Sequence, residues 1–176
     1  GGMIAQDFYG RHANRVATLS LMDTSAGFGG IPEEARREFL ARRLEPLERG
    51  LTPRDIAPGV VEVLASKHAS DPARQQLVAS LSALRVEPYK QALHAIVTTD
   101  FRSILPTITV PTLVAVGADD VVTPPAASEF LARTIPGATL VTIPQAGHLT
   151  NIEKPTEFNA ILRAFLTPHA TRASVL

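Results

Sequence analysis

Val110-Pro111-Thr112-Leu113-Val114-Ala115-Val116-Gly117 is a short apolar run closed by Pro near one end and Gly at the other. It lacks polar alternation, so it predicts a strand buried on both faces, the environment of a parallel sheet. Downstream, Ala127, Phe130, Leu131 and Ile135 mark a helix face that Ile135-Pro136-Gly137 ends. Ala138 to Ile143 reads as another strand, and Pro155 opens a helix with Phe158, Ile161, Leu162, Phe165 and Leu166 at one-face spacing. Upstream, Ile4, Ala5, Phe8 and His12 share a helical face, and Val16 to Met22 suits a strand that ends in the turn-rich segment Asp23 to Gly30. Strands alternating with helices predict an α/β fold, a doubly wound and mostly parallel sheet.

Between the first and second predicted strands lies a stretch of different character. From Ile31 to Leu105 the apolar residues recur at helical spacing: Phe39, Leu40, Leu44 and Leu47; Val60, Val61, Leu64 and His68; Leu77, Val78, Leu81 and Leu84. Breaks are expected at Gly50-Leu51-Thr52-Pro53, Ala57-Pro58-Gly59, Ser70-Asp71-Pro72 and Glu87-Pro88. The chain therefore divides into a core segment 1–30, a helical insertion 31–105, a second core segment 106–166 and a tail 167–176 without periodicity.

Composition narrows the function classes. With 17 Lys+Arg against 17 Asp+Glu, the formal net charge is +0, which argues against nucleic-acid partners and a polybasic membrane surface. No Cys is present, so there is neither a disulfide framework nor a thiolate nucleophile. His12, His68, His94, His148 and His169 show no HExxH-like spacing, and no metal site is expected. No stretch approaches the roughly 20 apolar residues of a membrane span. A soluble, cytoplasmic protein is the expectation, although a chain that opens on Gly1 carries no information about a signal peptide.

In open parallel sheets ligands gather beyond the carboxyl ends of strands, which singles out Gly117-Ala118-Asp119-Asp120-Val121-Val122-Thr123-Pro124-Pro125 and Pro144-Gln145-Ala146-Gly147-His148-Leu149. Alone, His148 reads as a surface turn histidine. Set one βα unit after an acidic loop, it reads as a general base that a carboxylate orients. Asp119 is expected to cap the turn or bond its own backbone. Val122 and Leu149, beside the acid and the base, are the expected substrate contacts. His12, His68 and His94 lie on helical faces and read as structural. Ser20, Ser25, Ser66, Ser80, Ser82, Ser103 and Ser128 lack a Gly-x-Ser-x-Gly frame, so none substitutes for a nucleophile.

At these residues the chain resembles the α/β-hydrolase superfamily. The matching pieces are Val110 to Val114 leading to Gly117-x-x-Asp120-x-x-Thr123-Pro124, then Ile143-Pro144-x-x-Gly147-His148, then the Glu153-Lys154-Pro155 helix. Gly1-Gly2-Met3-Ile4-Ala5-Gln6 looks like the tail of a nucleophile elbow, the alternative being that Gly1-Gly2 is an expression-tag scar. The resemblance implies that Asp120 is the triad acid, His148 the general base and 31–105 a helical cap. It also implies a nucleophile two residues before Gly1, an oxyanion-hole amide one residue before it, and N-terminal strands absent from this chain, which alone would be inactive. Gly147 to Asn159 most resembles the 3-oxoadipate enol-lactonase and carboxylesterase branch. The implied function is cleavage of a small ester or lactone by a Ser-His-Asp mechanism without a cofactor. A haloperoxidase, a C–C hydrolase, a ligand-binding protein of the same fold and a non-catalytic fragment that needs a partner chain are the alternatives. An assembly with a separate N-terminal chain and a homo-oligomer both stay open.

Overall fold

A computed structural model describes residues 1–170. Among these, three parallel strands pair in the order β1 (Leu19–Met22), β2 (Thr112–Gly117) and β3 (Thr139–Ile143). Leu21 lies opposite Val114, Val114 opposite Leu140, and Gly117 opposite Ile143. All six residues of β2 are buried, as an uninterrupted apolar run in the centre of a parallel sheet requires. Burial of a side chain such as Leu113, Val114 or Val116 stabilises by roughly 1.5–3 kcal/mol.

Helix α1 (Gly2–His12) precedes β1, and α6 (Pro125–Thr134) connects β2 to β3. One core cluster joins Tyr9 of α1, Leu19 and Leu21 of β1, Val114 of β2 and Leu131 of α6, closed by Leu105, Ile108 and Ile135. The register puts Leu21 and Val114 side by side, so α1 and α6 cover one face of the sheet. The short α7 (Thr150–Glu153) and α8 (Pro155–Leu166) follow β3, and Phe158, Ile161, Leu162 and Phe165 of α8 are half-buried.

Between β1 and β2 the chain forms α2 (Glu33–Glu48), α3 (Pro53–Leu64), α4 (Asp71–Ser82) and α5 (Val86–Thr98). Entry and exit of this insertion are tied together. Phe28 N donates to Thr99 O at 2.8 Å and Phe101 N to Ala26 O at 2.8 Å. Ser70 Oγ accepts from Ala73 N at 3.3 Å, which fixes the start of α4. Helices α3 and α4 meet through Val61, Ala65 and Leu77, and Leu149 from the loop after β3 and Ile152 of α7 pack on the same cluster. The insertion is thus seated on the carboxyl end of the sheet.

Several expectations change. Ala57-Pro58-Gly59 is no break, because α3 runs through it. Pro58 and Gly59 face solvent while Ala57 and Val61 are buried, so the packed side holds the helix through the residue that lacks an N–H. In α1 the buried residues are Gln6 and Tyr9, whereas Ile4 and Phe8 of the expected apolar face are exposed. Periodicity counts apolar side chains, but Tyr9 is anchored by its phenol, which accepts from Thr109 N at 3.0 Å, and Gln6 by donating to Ser25 O at 2.9 Å. The first strand begins at Leu19 rather than Val16, and Leu84 lies beyond α4 in solvent. Of the expected tail 167–176, residues 171–176 lie outside the described residues.

Candidate active site

The carboxyl ends of the three strands converge on one spot. Ala118 N donates to Ile143 O at 2.9 Å and Asp119 N to Ala146 O at 2.9 Å, joining the loop after β2 to the loop after β3. A Cβ on Gly117 would lie 2.2 Å from Gly147 O and 2.3 Å from Ala146 O, so only glycine lets the two loops approach this closely.

That approach brings Asp120 to His148. Asp120 Oδ2 lies 2.9 Å from His148 Nδ1, with the carboxyl side chain fully buried and the imidazole 21% exposed. Asp120 Oδ1 accepts from Val122 N at 2.8 Å and Thr123 N at 2.9 Å, and Oδ2 accepts from Thr123 Oγ1 at 2.8 Å. Burial pushes the Asp120 carboxyl up, but the bonds from His148 and Thr123 and the charge of His148 together hold it below its usual 3.8. An ionised carboxylate only accepts, so in the neutral imidazole Nδ1 carries the proton and Nε2 has the free lone pair. The pair can take a proton at Nε2 and stabilise the resulting imidazolium.

Of the other expected residues, Val122 is half-buried beside the acid and its amide serves Asp120. Leu149 packs against the α3–α4 cluster of the insertion. Asp119 departs from its expected role, since its carboxylate faces His68 Nε2 of the insertion at 4.0 Å instead of its own backbone. No group of three or more His, Cys, Asp or Glu is placed to hold a metal ion among the described residues, and no helix among them is long and apolar enough to cross a membrane.

Three residues of the site carried no role in the sequence reading. Thr123 stands 3.2 Å from His148 Nδ1, and an Asp-x-x-Thr spacing after a strand could have signalled it. Glu153 is 9% exposed and bonded to Gly147 N. Asp23, at the end of β1 with φ 46°, accepts from Gly117 N at 3.1 Å, Thr150 N at 3.1 Å and Thr150 Oγ1 at 2.6 Å, so it ties the end of β1 to the end of β2 and the start of α7. Within Asp23-Thr24-Ser25-Ala26-Gly27 it reads as an ordinary turn residue, and no local pattern reveals these distant partners.

Burial raises the Asp23 carboxyl to about 6, the hydrogen bonds from Thr150 and Gly117 opposing and the Asp120 charge adding to the rise. Between pH 3.8 and about 6 the folded state therefore holds a proton that the unfolded chain has released. Stability from this group falls as pH rises through that window, by about 3 kcal/mol in all. Urea unfolding of the wild type and Asp23→Asn at a series of pH values should show the difference moving in favour of the variant from pH ~4 to ~6.5. A pH-independent difference would mean that Asp23 titrates in its ordinary range.

A doubly wound α/β protein with a buried acid and a histidine on adjacent loops beyond its strands is thus defined. The sequence profile of the Alpha/beta hydrolase family matches residues 1–161, and the chain belongs to that family. It is 29% identical over 168 residues to 3-oxoadipate enol-lactonase 2 of Acinetobacter baylyi, covering 94% of this chain and 60% of that protein. It is 28% identical to the pimeloyl-[acyl-carrier protein] methyl ester esterase of Chromobacterium violaceum, over 97% of this chain and 68% of that protein. Among solved structures, the thermophilic esterase of Thermogutta terrifontis superposes with a TM-score of 0.83 at 29% identity, covering 96% of this chain and 62% of that one. The resemblance to the enol-lactonase branch holds. The chain spans about three fifths of the length of the enol-lactonase and the thermophilic esterase.

Proposed function

We propose that the protein cleaves an ester or lactone of a small molecule by a Ser-His-Asp mechanism. The observation that carries this reading is the 2.9 Å contact between the buried Asp120 carboxylate and His148 Nδ1, which leaves Nε2 as a base. The nucleophile is a serine two residues before Gly1, and the amide one residue before Gly1 contributes to the oxyanion hole. His148 Nε2 takes the serine proton as Oγ attacks the carbonyl carbon. The imidazolium, stabilised by Asp120, then gives that proton to the leaving alkoxide as the acyl–oxygen bond breaks. Water deacylates the serine by the same steps in reverse roles, and no cofactor is required. The insertion acts as the cap over the pocket, with Val122 and Leu149 at its wall. Esterases and an enol-lactonase among the relatives support the substrate class.

The test uses the product of the gene's full open reading frame. A fluorophosphonate probe should add once, at the serine two residues before Gly1, and the unlabelled protein should hydrolyse p-nitrophenyl butyrate. If the probe fails to add and the ester is untouched while small molecules still bind, the protein is a ligand-binding member of the fold and the hydrolytic reading is lost.

A further inference from the structure

The loop that carries His148 is also held by the insertion, through bonds that do not involve Asp120. Glu153 Oε1 accepts from Gly147 N at 2.9 Å, while Oε2 accepts from Ser66 N at 2.9 Å. One buried carboxylate thereby bridges the residue before the histidine and the junction between α3 and α4. One further bond is backbone to backbone and another uses the Ser66 hydroxyl. His148 N donates to Leu64 O at 2.7 Å, and Ser66 Oγ donates to Gln145 O at 3.3 Å. A Cβ on Gly147 would lie 2.5 Å from Leu64 O, 2.6 Å from Ser66 N and 2.9 Å from Glu153 Oε1. The insertion therefore meets Gly147 and His148 at their backbone, where Leu64 O and Ser66 N leave no room for a side chain on residue 147.

We propose that Glu153 is a positioning residue, whose bridge between Gly147 N–H and Ser66 N–H makes the seating of the helical insertion set the orientation of His148. The proposal rests on the reading of His148 as general base, and it adds that the base is oriented from two sides. Asp120 holds the ring at Nδ1, while Glu153 holds the Ala146–Gly147 peptide, one step before the peptide that carries His148 and bonds Leu64 O. Both Glu153 oxygens face backbone donors that cannot turn away, so the carboxylate fixes distance as well as charge. Other charged groups around the loop are Asp120 and Asp119 after β2, Asp23 after β1, and His68 and Arg74 of the insertion. Arg74 Nη2 donates to Ser66 O at 2.8 Å and so steadies the same junction.

Two substitutions separate charge from geometry. Glu153→Gln keeps the length, loses the charge and presents an NH2 to one of the two N–H donors. Glu153→Asp keeps the charge but is one methylene too short to reach both donors. In the product of the full open reading frame, both variants should lose kcat by on the order of 10- to 100-fold, with KM within about threefold, as expected for a misplaced base. Carbon-13 NMR of the His148 ring should show the protonation midpoint lowered in both variants by ~0.5 pH unit or more, about a threefold loss of proton affinity. If Glu153→Asp titrates and turns over like the wild type while Glu153→Gln does not, only charge matters and positioning is overturned. A lower melting temperature with unchanged kcat and titration, or loss of fold in both variants, makes Glu153 purely structural and also overturns it. Absence of turnover in the wild type would defeat the hydrolytic reading, whereas the His148 titration would still decide the role of Glu153.

Discussion

His148→Ala, made in the product of the full open reading frame, is expected to lower kcat toward small esters by at least ~10⁴-fold while the protein stays folded. Without the imidazole no group is placed to accept the serine proton, and binding plus the oxyanion hole supply what rate remains. Survival of the fold follows from the surroundings. The Asp120 carboxylate loses one partner but keeps Val122 N, Thr123 N and Thr123 Oγ1, so no buried charge is left bare. The backbone bond from residue 148 to Leu64 O does not depend on the side chain. Loss of a hydrogen bond to a charged group, worth roughly 1.5–3 kcal/mol, should lower the melting temperature by no more than ~10 °C. Steady-state kinetics and circular dichroism on the same preparation check both halves. A folded variant that keeps most of its esterase activity would remove His148 from the mechanism.

How much of this was legible in the sequence follows from the range of the interactions involved. The central strand was legible because six consecutive small or apolar residues between Pro111 and Ala118 admit few other environments. Asp120 and His148 were legible because each sits a fixed few residues past a strand, and parallel strands bring such loops together. The face of α1 was not, because Tyr9 and Gln6 are held by polar bonds to Thr109 and Ser25, whereas the spacing rule weighs only apolar area. Pro58 misled for a related reason. A proline predicts a break from local geometry, but α3 is fixed by what Ala57 and Val61 pack against. Asp23 and Glu153 were hidden because their partners lie far along the chain, Asp23 with Gly117 and Thr150, Glu153 with Ser66. A carboxylate whose partners are backbone amides far along the chain carries no periodic signature, and the site depends on two such carboxylates.

Asp120→Asn should lower kcat at neutral pH by about 10⁴-fold with almost no change of shape, and it is the sharper test of the acid. The carboxamide oxygen can take the place of Oδ1 and keep the amides of Val122 and Thr123. Its NH2 then points at His148 Nδ1, where Oδ2 had been 2.9 Å away. An NH2 group only donates, so Nδ1 must become the acceptor and the ring proton moves to Nε2. The base is thereby capped at the atom that has to receive the serine proton. Asp120→Ala would confuse the matter by leaving two buried amides without acceptors. Stability separates the variants by pH as well. Because the folded Asp120 carboxyl is held below 3.8, its contribution is fully present above that value and is lost as pH falls through the lower folded one. The wild type should therefore be more stable than Asp120→Asn at neutral pH, and the gap should close in acid. An Asn variant that retains most of the wild-type kcat would show that Asp120 shapes the loop without serving the base.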